Sequence, residues 1–406
     1  MRAAKPPSTY RLPLQYRPLN QTTQLQPASR TSLFGFSDIV KIRNRVLALR
    51  QQGASVLQLE GGEPFAPTPE FVREAMKKAL DENQTRYAPS SGIPTLLEAI
   101  SLKLGERNRI RATPDQLVVV AGGMHGLFCA FQATLDPGDE TIFFSPFWTP
   151  IRDLVQFCGA TPVVIPWTEV RGSDPTEALR RRITPRTRVI YVNSPANPTG
   201  DLLGEDAMRA IAKIAIENDL VVIADEAYED ITYGQPPVAI ASLPGMSART
   251  ITVFTLSKSF SMTGCRIGYV VAEAPFIGEI RKLVLNSVNG VSTPTQFGAA
   301  AAISDRSDYL ERMRGEYRLR RDLLVEGLRS AGFPVLAPAG AFYLLVDVRE
   351  RLGGDSFAAM STLLDRTSIA TVPGVVFGQE GEGFLRMSFS NPVETLEKAV
   401  AALEKL

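Results

Sequence analysis

Short apolar runs alternate with helical patterns along most of the chain from about residue 61. Six of these runs are rich in β-branched and other apolar residues, which is typical of strands buried on both faces of a sheet. They are 116–121, 140–145, 188–193, 220–225, 250–256 and 267–272. Because strand and helix alternate, the pattern predicts crossover connections and a mostly parallel sheet, and therefore an α/β fold.

The segments between the runs have the period of amphipathic helices. Residues 69–83 carry an apolar stripe, and 205–218 places Met208, Ile211 and Ala215 on one face. An Arg-rich stretch over 304–330 predicts a long helix with a solvated or interfacial face. Mixed, strand-rich sequence follows it, and the pair Asn391-Pro392 is predicted to cap a last helix.

These patterns predict three parts of the chain. Residues 1–32 are rich in Pro, Gln and Thr and contain no acidic residue, which indicates an extended N-terminal arm. Residues 61–305 are predicted to form a large domain in which a mostly parallel sheet lies between helices. Residues 33–60 and 306–406 are predicted to form together a smaller α+β domain.

Composition and charge exclude several classes of function. The 406 residues contain 44 Lys and Arg against 43 Asp and Glu, so no basic field indicates nucleic acid. No apolar stretch approaches the roughly 18 residues needed to span a membrane. The single histidine, His125, argues against a Ser-His-Asp hydrolase and a multi-histidine metal site, so no metal is predicted. The three cysteines are scattered, which fits a reducing compartment and predicts a cytoplasmic location.

Polar and aromatic residues follow the predicted strands, at the edge where ligands of open α/β sheets bind. Each residue alone has a structural role to fill: a Gly-Gly pair makes turns, an Asp caps helices, and a Lys reaches water. Together they are the groups that hold pyridoxal phosphate (PLP): N–H and hydroxyl donors for phosphate, an aromatic plate, a carboxylate and a lysine. The set comprises Gly122 and Gly123, Trp148, Asn197, Asp225, Tyr228, Thr255, Ser257, Lys258 and Arg266.

Four motifs, in order, also resemble a known family. SPANPTG, DEAYED, SKSFSMTGCRIGY and FLRMSFS resemble the motifs of class I aminotransferases of PLP fold type I, in the bacterial-type subgroup of the aspartate aminotransferase superfamily. The earlier segments GGEPFAPTP, RYAPSSGIPTLLEAI and PGDETIFFSPFW are similar to further landmarks of that family. The resemblance covers roughly residues 33–406. It implies PLP as the cofactor and a homodimer with shared active sites.

The resemblance implies a role for each matching position. Lys258 would bond to the cofactor as a Schiff base, Asp225 would pair with the ring nitrogen, and Tyr228 would hydrogen-bond the ring oxygen. The implied cofactor contacts are Gly123, Met124, Trp148, Asn197, Asp225, Tyr228, Thr255, Ser257, Lys258 and Arg266, with Tyr87 from a second subunit. The implied substrate contacts are Gly62, Asn197 and Arg386.

The expected activity is transfer of the amino group of an L-amino acid to a 2-oxo acid by a ping-pong mechanism. A β-lyase, an aminocyclopropane-carboxylate synthase-like enzyme or an oxidase would use the same lysine and carboxylate contacts and stays an alternative. A PLP-binding regulator is an alternative of another class, although it needs a helix-turn-helix extension for which the short leader has no room. Phe34, Phe36 and Ile39 are predicted to line the substrate pocket.

Overall fold

A computed structural model describes residues 26–33, 35–170 and 174–406. The chain divides into two units, Met1–Gly35 and Phe36–Leu406. In the first unit the described residues contain a 3-10 helix, Ser29–Leu33. Most of the predicted arm, up to residue 25, lies outside the described residues.

The described part of the second unit contains twelve strands. In chain order they are β1 (Leu57–Gln58), β2 (Leu117–Val120), β3 (Glu140–Ser145), β4 (Thr161–Pro166), β5 (Thr187–Asn193), β6 (Val221–Asp225), β7 (Thr250–Thr255), β8 (Gly268–Val271), β9 (Tyr343–Asp347), β10 (Ile369–Ala370), β11 (Val372–Pro373) and β12 (Phe384–Ser388). Seven of them form one sheet in the order β2-β8-β7-β6-β5-β3-β4. β8 is antiparallel to both of its neighbours, and the other pairs in this sheet are parallel.

All six predicted strands are present in this sheet, so the α/β prediction is confirmed. The seventh, β4, was not predicted, because its sequence TPVVIP has a proline near each end and its residues are mostly only half buried. That pattern suits its place at the edge of the sheet, where unpaired backbone N–H groups are tolerated.

Two smaller sheets lie outside the large one. β1 pairs in parallel with β10, and β9, β11 and β12 form an antiparallel sheet in the order β11-β12-β9. The strand-rich sequence expected after residue 330 is therefore confirmed. The division into a large domain and a small domain stays a prediction.

The described residues form thirteen α-helices. They are α1 (Asp38–Gln51), α2 (Glu70–Asp81), α3 (Pro94–Lys103), α4 (Gly123–Gln132), α5 (Pro150–Phe157), α6 (Thr176–Arg180), α7 (Glu205–Glu217), α8 (Phe276–Val288), α9 (Thr293–Ser304), α10 (Tyr309–Ser330), α11 (Arg349–Leu352), α12 (Ser356–Thr367) and α13 (Val393–Leu403). The helices predicted over 69–83 and 205–218 correspond to α2 and α7, and the Arg-rich helix begins at Tyr309. None of the helices in the described ranges is long and apolar enough to cross a membrane.

The predicted cap of the last helix is wrong in one respect. The residue before α13 is Pro392, which makes no side-chain capping bond. The Asn391 side chain instead donates to the carbonyl of Ser388 (3.2 Å), at the end of β12. The Asn391 side chain therefore links the residues before α13 to the end of β12. The restricted φ of Pro392 sets the backbone direction at the start of the helix.

Helices cover both faces of the large sheet. In β2, Val118 and Val120 belong to the same core cluster as Leu127 and Phe131 of α4. The alternate residue Val119 packs in a second cluster that contains residues of α3. Since successive side chains of a strand point to opposite faces, this alternation anchors the sheet between two helical layers. Burial of each of these apolar side chains contributes about 1.5–3 kcal/mol to the free energy of folding, so the packing on both faces fixes the position of the strand ends.

Candidate active site

A cavity of about 680 Å³ lies at the carboxyl ends of the central strands. Twelve of the thirteen predicted site residues line it: Gly62, Gly123, Met124, Trp148, Asn197, Asp225, Tyr228, Thr255, Ser257, Lys258, Arg266 and Arg386. The thirteenth, Tyr87, is not at the cavity, and 90% of its surface is exposed. The structure therefore gathers residues that are more than 300 positions apart in the chain, from Gly62 to Arg386.

Lys258 lies in the loop between β7 and β8. Its Nζ donates to the carbonyl of Gly62 (2.7 Å), the one hydrogen bond it makes among the described residues. The rings of Phe342 and Tyr228 lie 5.6 Å and 6.0 Å from the same nitrogen. The amine is thus held at the cavity by a neutral acceptor and aromatic faces, without a carboxylate partner in the described structure.

One corner of the cavity is built to hold an anion. α4 begins at Gly123, so its first N–H groups point out of the helix and carry partial positive charge. Gly122 before it has φ +83°, and a Cβ there would lie 2.7 Å from Nη2 of Arg266. Arg266 itself has φ +52°, and its Nη1 is held by the carbonyl of Thr263 (2.8 Å). A glycine is required here because the guanidinium and the backbone approach so closely.

Two hydroxyl groups complete this corner. Thr255 Oγ1 donates to Ser257 Oγ (2.9 Å), and the backbone N–H of Ser257 donates to Thr255 Oγ1 (3.2 Å). A Cβ placed on Gly123 would lie 3.4 Å from the Thr255 side chain, so the hydroxyls stand directly beside the start of α4. N–H groups, hydroxyls and a guanidinium together form a site for a phosphate.

Asp225 is the last residue of β6, and its side chain is buried. Burial raises the pKa of its carboxyl to about 6. The hydroxyl of Tyr191 (2.8 Å), the N–H of Ala227 (3.2 Å) and the charge of Lys258 oppose that rise. Tyr191 was not predicted as part of the site, because inside β5 its sequence position looks like an ordinary core position.

Arg386 comes from β12 and is buried. Its Nη1 donates to Asn197 Oδ1 (3.2 Å) and its Nη2 donates to the backbone carbonyl of Glu60 (2.7 Å). Its Nε is buried and has no hydrogen-bond partner in the described structure. Burial lowers the pKa of this guanidinium, and the ring of Tyr343 lies 4.4 Å from it. An orphaned donor on a fixed guanidinium is suited to receive a carboxylate.

Aromatic residues form another wall of the cavity. Tyr228 donates to the hydroxyl of Tyr343 (3.4 Å), and burial together with Tyr343 raises the pKa of Tyr228 well above its usual range. Trp148, at the entry to α5, is half buried and lines the cavity. Tyr343 was missed from the sequence because it lies in the strand-rich C-terminal part, where no motif marks it.

The cavity also has lining residues that the sequence did not indicate. Arg43 of α1, Gln58 of β1 and Glu60 are charged or polar and line the same space. Of the three residues predicted for the substrate pocket, Ile39 lines the cavity. Phe36 is 86% exposed in the single chain and is absent from the lining, so its place in the substrate pocket stays a prediction. Phe34 lies outside the described residues.

These residues fit PLP. The buried carboxylate of Asp225 suits a protonated ring nitrogen, the N–H and hydroxyl corner suits the phosphate, and Lys258 supplies an amine. Within the described ranges, no group of His, Cys, Asp and Glu side chains could hold a metal ion. A mostly parallel sheet with these groups at its strand ends defines a PLP-dependent enzyme of fold type I.

Comparison with known proteins identifies the family. Residues 54–403 match the family "Aminotransferase class I and II". The probable aspartate/prephenate aminotransferase of Thermus aquaticus is 38% identical over 90% of this chain and 94% of its own length. The aspartate aminotransferase of Musicola paradisiaca is 37% identical over 93% and 95%. The structure of the Thermus thermophilus aspartate aminotransferase with maleate superposes with a TM-score of 0.90 at 36% identity, over 94% of this chain and all of that one.

The chain belongs to the class I and II aminotransferase family. It is a PLP-dependent aminotransferase, as the motifs of the sequence had indicated.

Proposed function

We propose that this aminotransferase transfers the amino group of an L-amino acid to a 2-oxo acid in two half-reactions, with Lys258 as the catalytic amine. The observation that carries this proposal is the arrangement of Lys258, Asp225 and Arg386 around one cavity. An amine, a buried carboxylate and a guanidinium with a free donor are the three groups that the reaction needs. The relatives' names make L-aspartate the first amino donor to test.

The residues of the anion corner would hold the cofactor's phosphate. Gly123 and Met124 would donate backbone N–H groups, Thr255 and Ser257 would donate hydroxyls, and Arg266 would supply the charge. The ring would lie against Trp148, with Asn197 and Tyr228 at its oxygen and Asp225 at its nitrogen. When bound, PLP supplies an aldehyde that condenses with amines and a protonated ring that withdraws electrons from the substrate Cα.

The chain's own groups orient the substrate and move its proton. Arg386 and Asn197 bind the α-carboxylate, because Nε of Arg386 is unpaired and Nη1 already lies on the Asn197 amide. Lys258 Nζ takes the proton from Cα and releases it again as the amino group is transferred. Its present bond to the Gly62 carbonyl places the amine beside the loop that would contact that carboxylate. Tyr191 holds Asp225 in position from inside the sheet.

We also propose a homodimer in which Tyr87 completes the partner's site. Its aromatic side chain is 90% exposed in the single chain, an unusual state for a tyrosine unless another surface covers it. Mixing subunits that carry Lys258→Ala with subunits that carry Tyr87→Phe would restore partial activity if the sites are shared. The cytoplasmic location stays a prediction, in keeping with the three free cysteines.

The test is a spectroscopic assay of the purified protein with its cofactor. Addition of an L-amino acid should bleach the absorbance of the lysine-bound cofactor, and a 2-oxo acid should restore it. Sustained turnover should require the 2-oxo acid, whereas a β-lyase, synthase or oxidase would turn over without it. A protein that binds no PLP, or a Lys258→Ala variant with full transaminase activity, would contradict the proposal.

A further inference from the structure

His125, the single histidine of the chain, lies near the start of α4 and makes contacts through both of its ring nitrogens. Its Nδ1 accepts from the backbone N–H of Ala121 (3.1 Å), and its Nε2 lies 2.8 Å from Oγ of Ser287. The ring does not belong to the lining of the catalytic cavity. An effect of His125 on the cofactor must therefore pass through these two partners.

The partners of the ring determine its protonation. An N–H donor at Nδ1 requires a lone pair on that nitrogen, so the imidazole is neutral and carries its proton on Nε2. Oγ of Ser287 accepts from Nε2, because its own hydroxyl donates to the carbonyl of Leu283 (2.6 Å). Burial lowers the pKa of His125, and it raises the pKa of the neighbouring Cys129 thiol (3.4 Å) to about 12. The neutral ring thus joins α8 to the backbone of Ala121.

Ala121 needs this partner because it lies just beyond the end of a strand. The pairing of β2 with β8 ends at Val120 and Gly268, and the N–H of Ala121 has no backbone acceptor within the described ranges. Nδ1 of His125 satisfies this partly buried donor. The carbonyl of Ala121 accepts from Nη2 of Arg266 (3.4 Å). Both backbone groups of Ala121 are therefore held by side chains, and one of these belongs to the anion corner.

The backbone that follows Ala121 is the turn at which the phosphate would bind. Gly122 has φ +83°, and α4 begins at Gly123. Two consecutive glycines can adopt many backbone conformations, so this turn needs outside contacts to hold it in one of them. His125 supplies such a contact one residue before the turn. α4 and α8 share one hydrophobic core cluster, so Ser287 of α8 is a fixed anchor for the ring.

We propose that His125 is a positioning residue for the cofactor, which acts through Ala121 to hold the turn of Gly122 and Gly123 in its phosphate-binding conformation. This inference rests on the proposed assignment of the anion corner to the phosphate of PLP. If the turn is in place in only a fraction of the molecules, the apparent dissociation constant rises in inverse proportion to that fraction. Loss of the bond to Ala121 should therefore weaken binding of the phosphate and spare the contacts to the cofactor ring.

The test uses two probes that differ in the phosphate and cannot bond covalently to Lys258. 4-Deoxypyridoxine 5′-phosphate lacks the aldehyde of PLP, and 4-deoxypyridoxine lacks the phosphate as well. Absorbance titration of the full-length apo protein gives a dissociation constant for each probe. We expect His125→Ala to bind the phosphorylated probe about 10-fold more weakly than wild type, and the other probe within about 2-fold of wild type.

Two further substitutions of His125 distinguish the two ring nitrogens. The side-chain amide of asparagine reaches the position of Nδ1, whereas the longer side chain of glutamine reaches the position of Nε2. His125→Asn can therefore keep the bond from Ala121 and loses the contact with Ser287, and His125→Gln does the reverse. We expect the Asn variant to bind the phosphorylated probe within about 3-fold of wild type. The Gln variant should be as weak as His125→Ala.

The ratio of the two dissociation constants keeps the inference testable in a variant that folds poorly, since unfolded protein affects both probes alike. If His125→Ala weakens both probes to the same degree, His125 only stabilises the fold and the inference is wrong. A Gln variant close to wild type beside a weak Asn variant would also overturn it, in favour of the contact with Ser287.

The wild-type protein tests the assignment of the anion corner separately. If wild type prefers the phosphorylated probe and all three variants match it, the corner binds phosphate as proposed and the role of His125 is refuted. If wild type binds both probes equally tightly, the phosphate assignment itself fails, and the inference fails with it.

Discussion

Lys103 and Lys258 are two lysines inside the same unit whose surroundings differ. Lys103, at the end of α3, is 2% exposed, and its Nζ contacts the carboxylate of Glu229, the hydroxyl of Tyr269 (3.0 Å) and the ring of Phe254 (4.3 Å). Lys258 is less buried, and its Nζ has one backbone carbonyl as partner within the described ranges. The more deeply buried lysine is thus the one whose charge is fully compensated.

The carboxylates of the segment DEAYED differ in the same way: one lies at the cavity without an ion pair, and others are paired with cations. Asp225 faces the catalytic cavity, and burial raises its pKa. Asp230, five residues on, pairs with Arg107, and its neighbour Glu229 pairs with Lys103. Burial alone therefore does not identify a catalytic group. A buried carboxylate that is paired with a cation belongs to the fold, whereas one that lies at a cavity without an ion pair is available to a cationic group of a ligand.

The largest effect should come from Lys258→Ala. Loss of the amine removes both the covalent attachment and the general base, so turnover should fall by at least about 10⁴-fold. The denaturation midpoint of the apo protein should hardly change, because the side chain contributes one hydrogen bond to Gly62. A large loss of stability would show that Lys258 is structural, as Lys103 is.

Lys103→Met should have the opposite effect: it should lower the stability of the fold and leave the reaction rate nearly unchanged. It leaves Glu229 buried without its cation, which should lower the free energy of unfolding by about 3–5 kcal/mol. Denaturant titration of the apo protein measures this loss. The rate of the first half-reaction, per folded holoenzyme, should stay within about 3-fold of wild type, since Lys103 touches no residue of the cavity lining described above. Equal stability of variant and wild type would refute the assignment of Lys103 to the fold.

Asp225 gives a pH dependence with a definite sign. Its pKa is raised from 3.8 to about 6 in the folded protein, so the folded state binds its proton more tightly than the unfolded state. The stabilisation is fully present below about pH 4 and is lost as the pH rises through about 6, a change of about 3 kcal/mol. The free energy of unfolding of the apo Asp225→Asn variant should not show this change with pH. Denaturation curves of the variant and the wild type, measured side by side from pH 4 to 7, would reveal the difference. Parallel curves for the two proteins would contradict the raised pKa.

The smallest effect is expected at a surface lysine. Lys77 pairs with Glu74 at 2.7 Å on α2, and both side chains are more than half exposed. Lys77→Met should change the free energy of unfolding by less than about 1 kcal/mol, because solvent screens such a pair. A loss comparable to that of Lys103→Met would show that burial is not what separates the two pairs.

Local pattern was enough to predict the strands of the large sheet and the residues that follow them. Lys258 and Asp225 were found because they stand at the carboxyl ends of neighbouring parallel strands, and Arg266 was found because it follows Lys258 closely in the same loop. β4 was missed because an edge strand with two prolines lacks the continuous apolar run of a buried one. The hydrogen bond from Arg386 to the backbone carbonyl of Glu60 could not be predicted, because the two residues lie 326 positions apart in the chain. The partners of Lys103 are set by long-range packing in the same way.

The turn that carries Lys258 is closed at its base. Thr255, the last residue of β7, is the register partner of Gly268, the first residue of β8. A Cβ on Gly268 would lie 2.4 Å from the carbonyl of Phe254, so the two strands meet there as closely as backbones can. Residues 255–268 therefore form a continuous loop whose two ends are held together by the pairing of β7 and β8. Lys258 and Arg266 both lie in this loop, so one short segment of the chain carries the amine and the guanidinium. We expect that the loop of residues 255–268 can be grafted as one segment into another protein that has the same pair of strands.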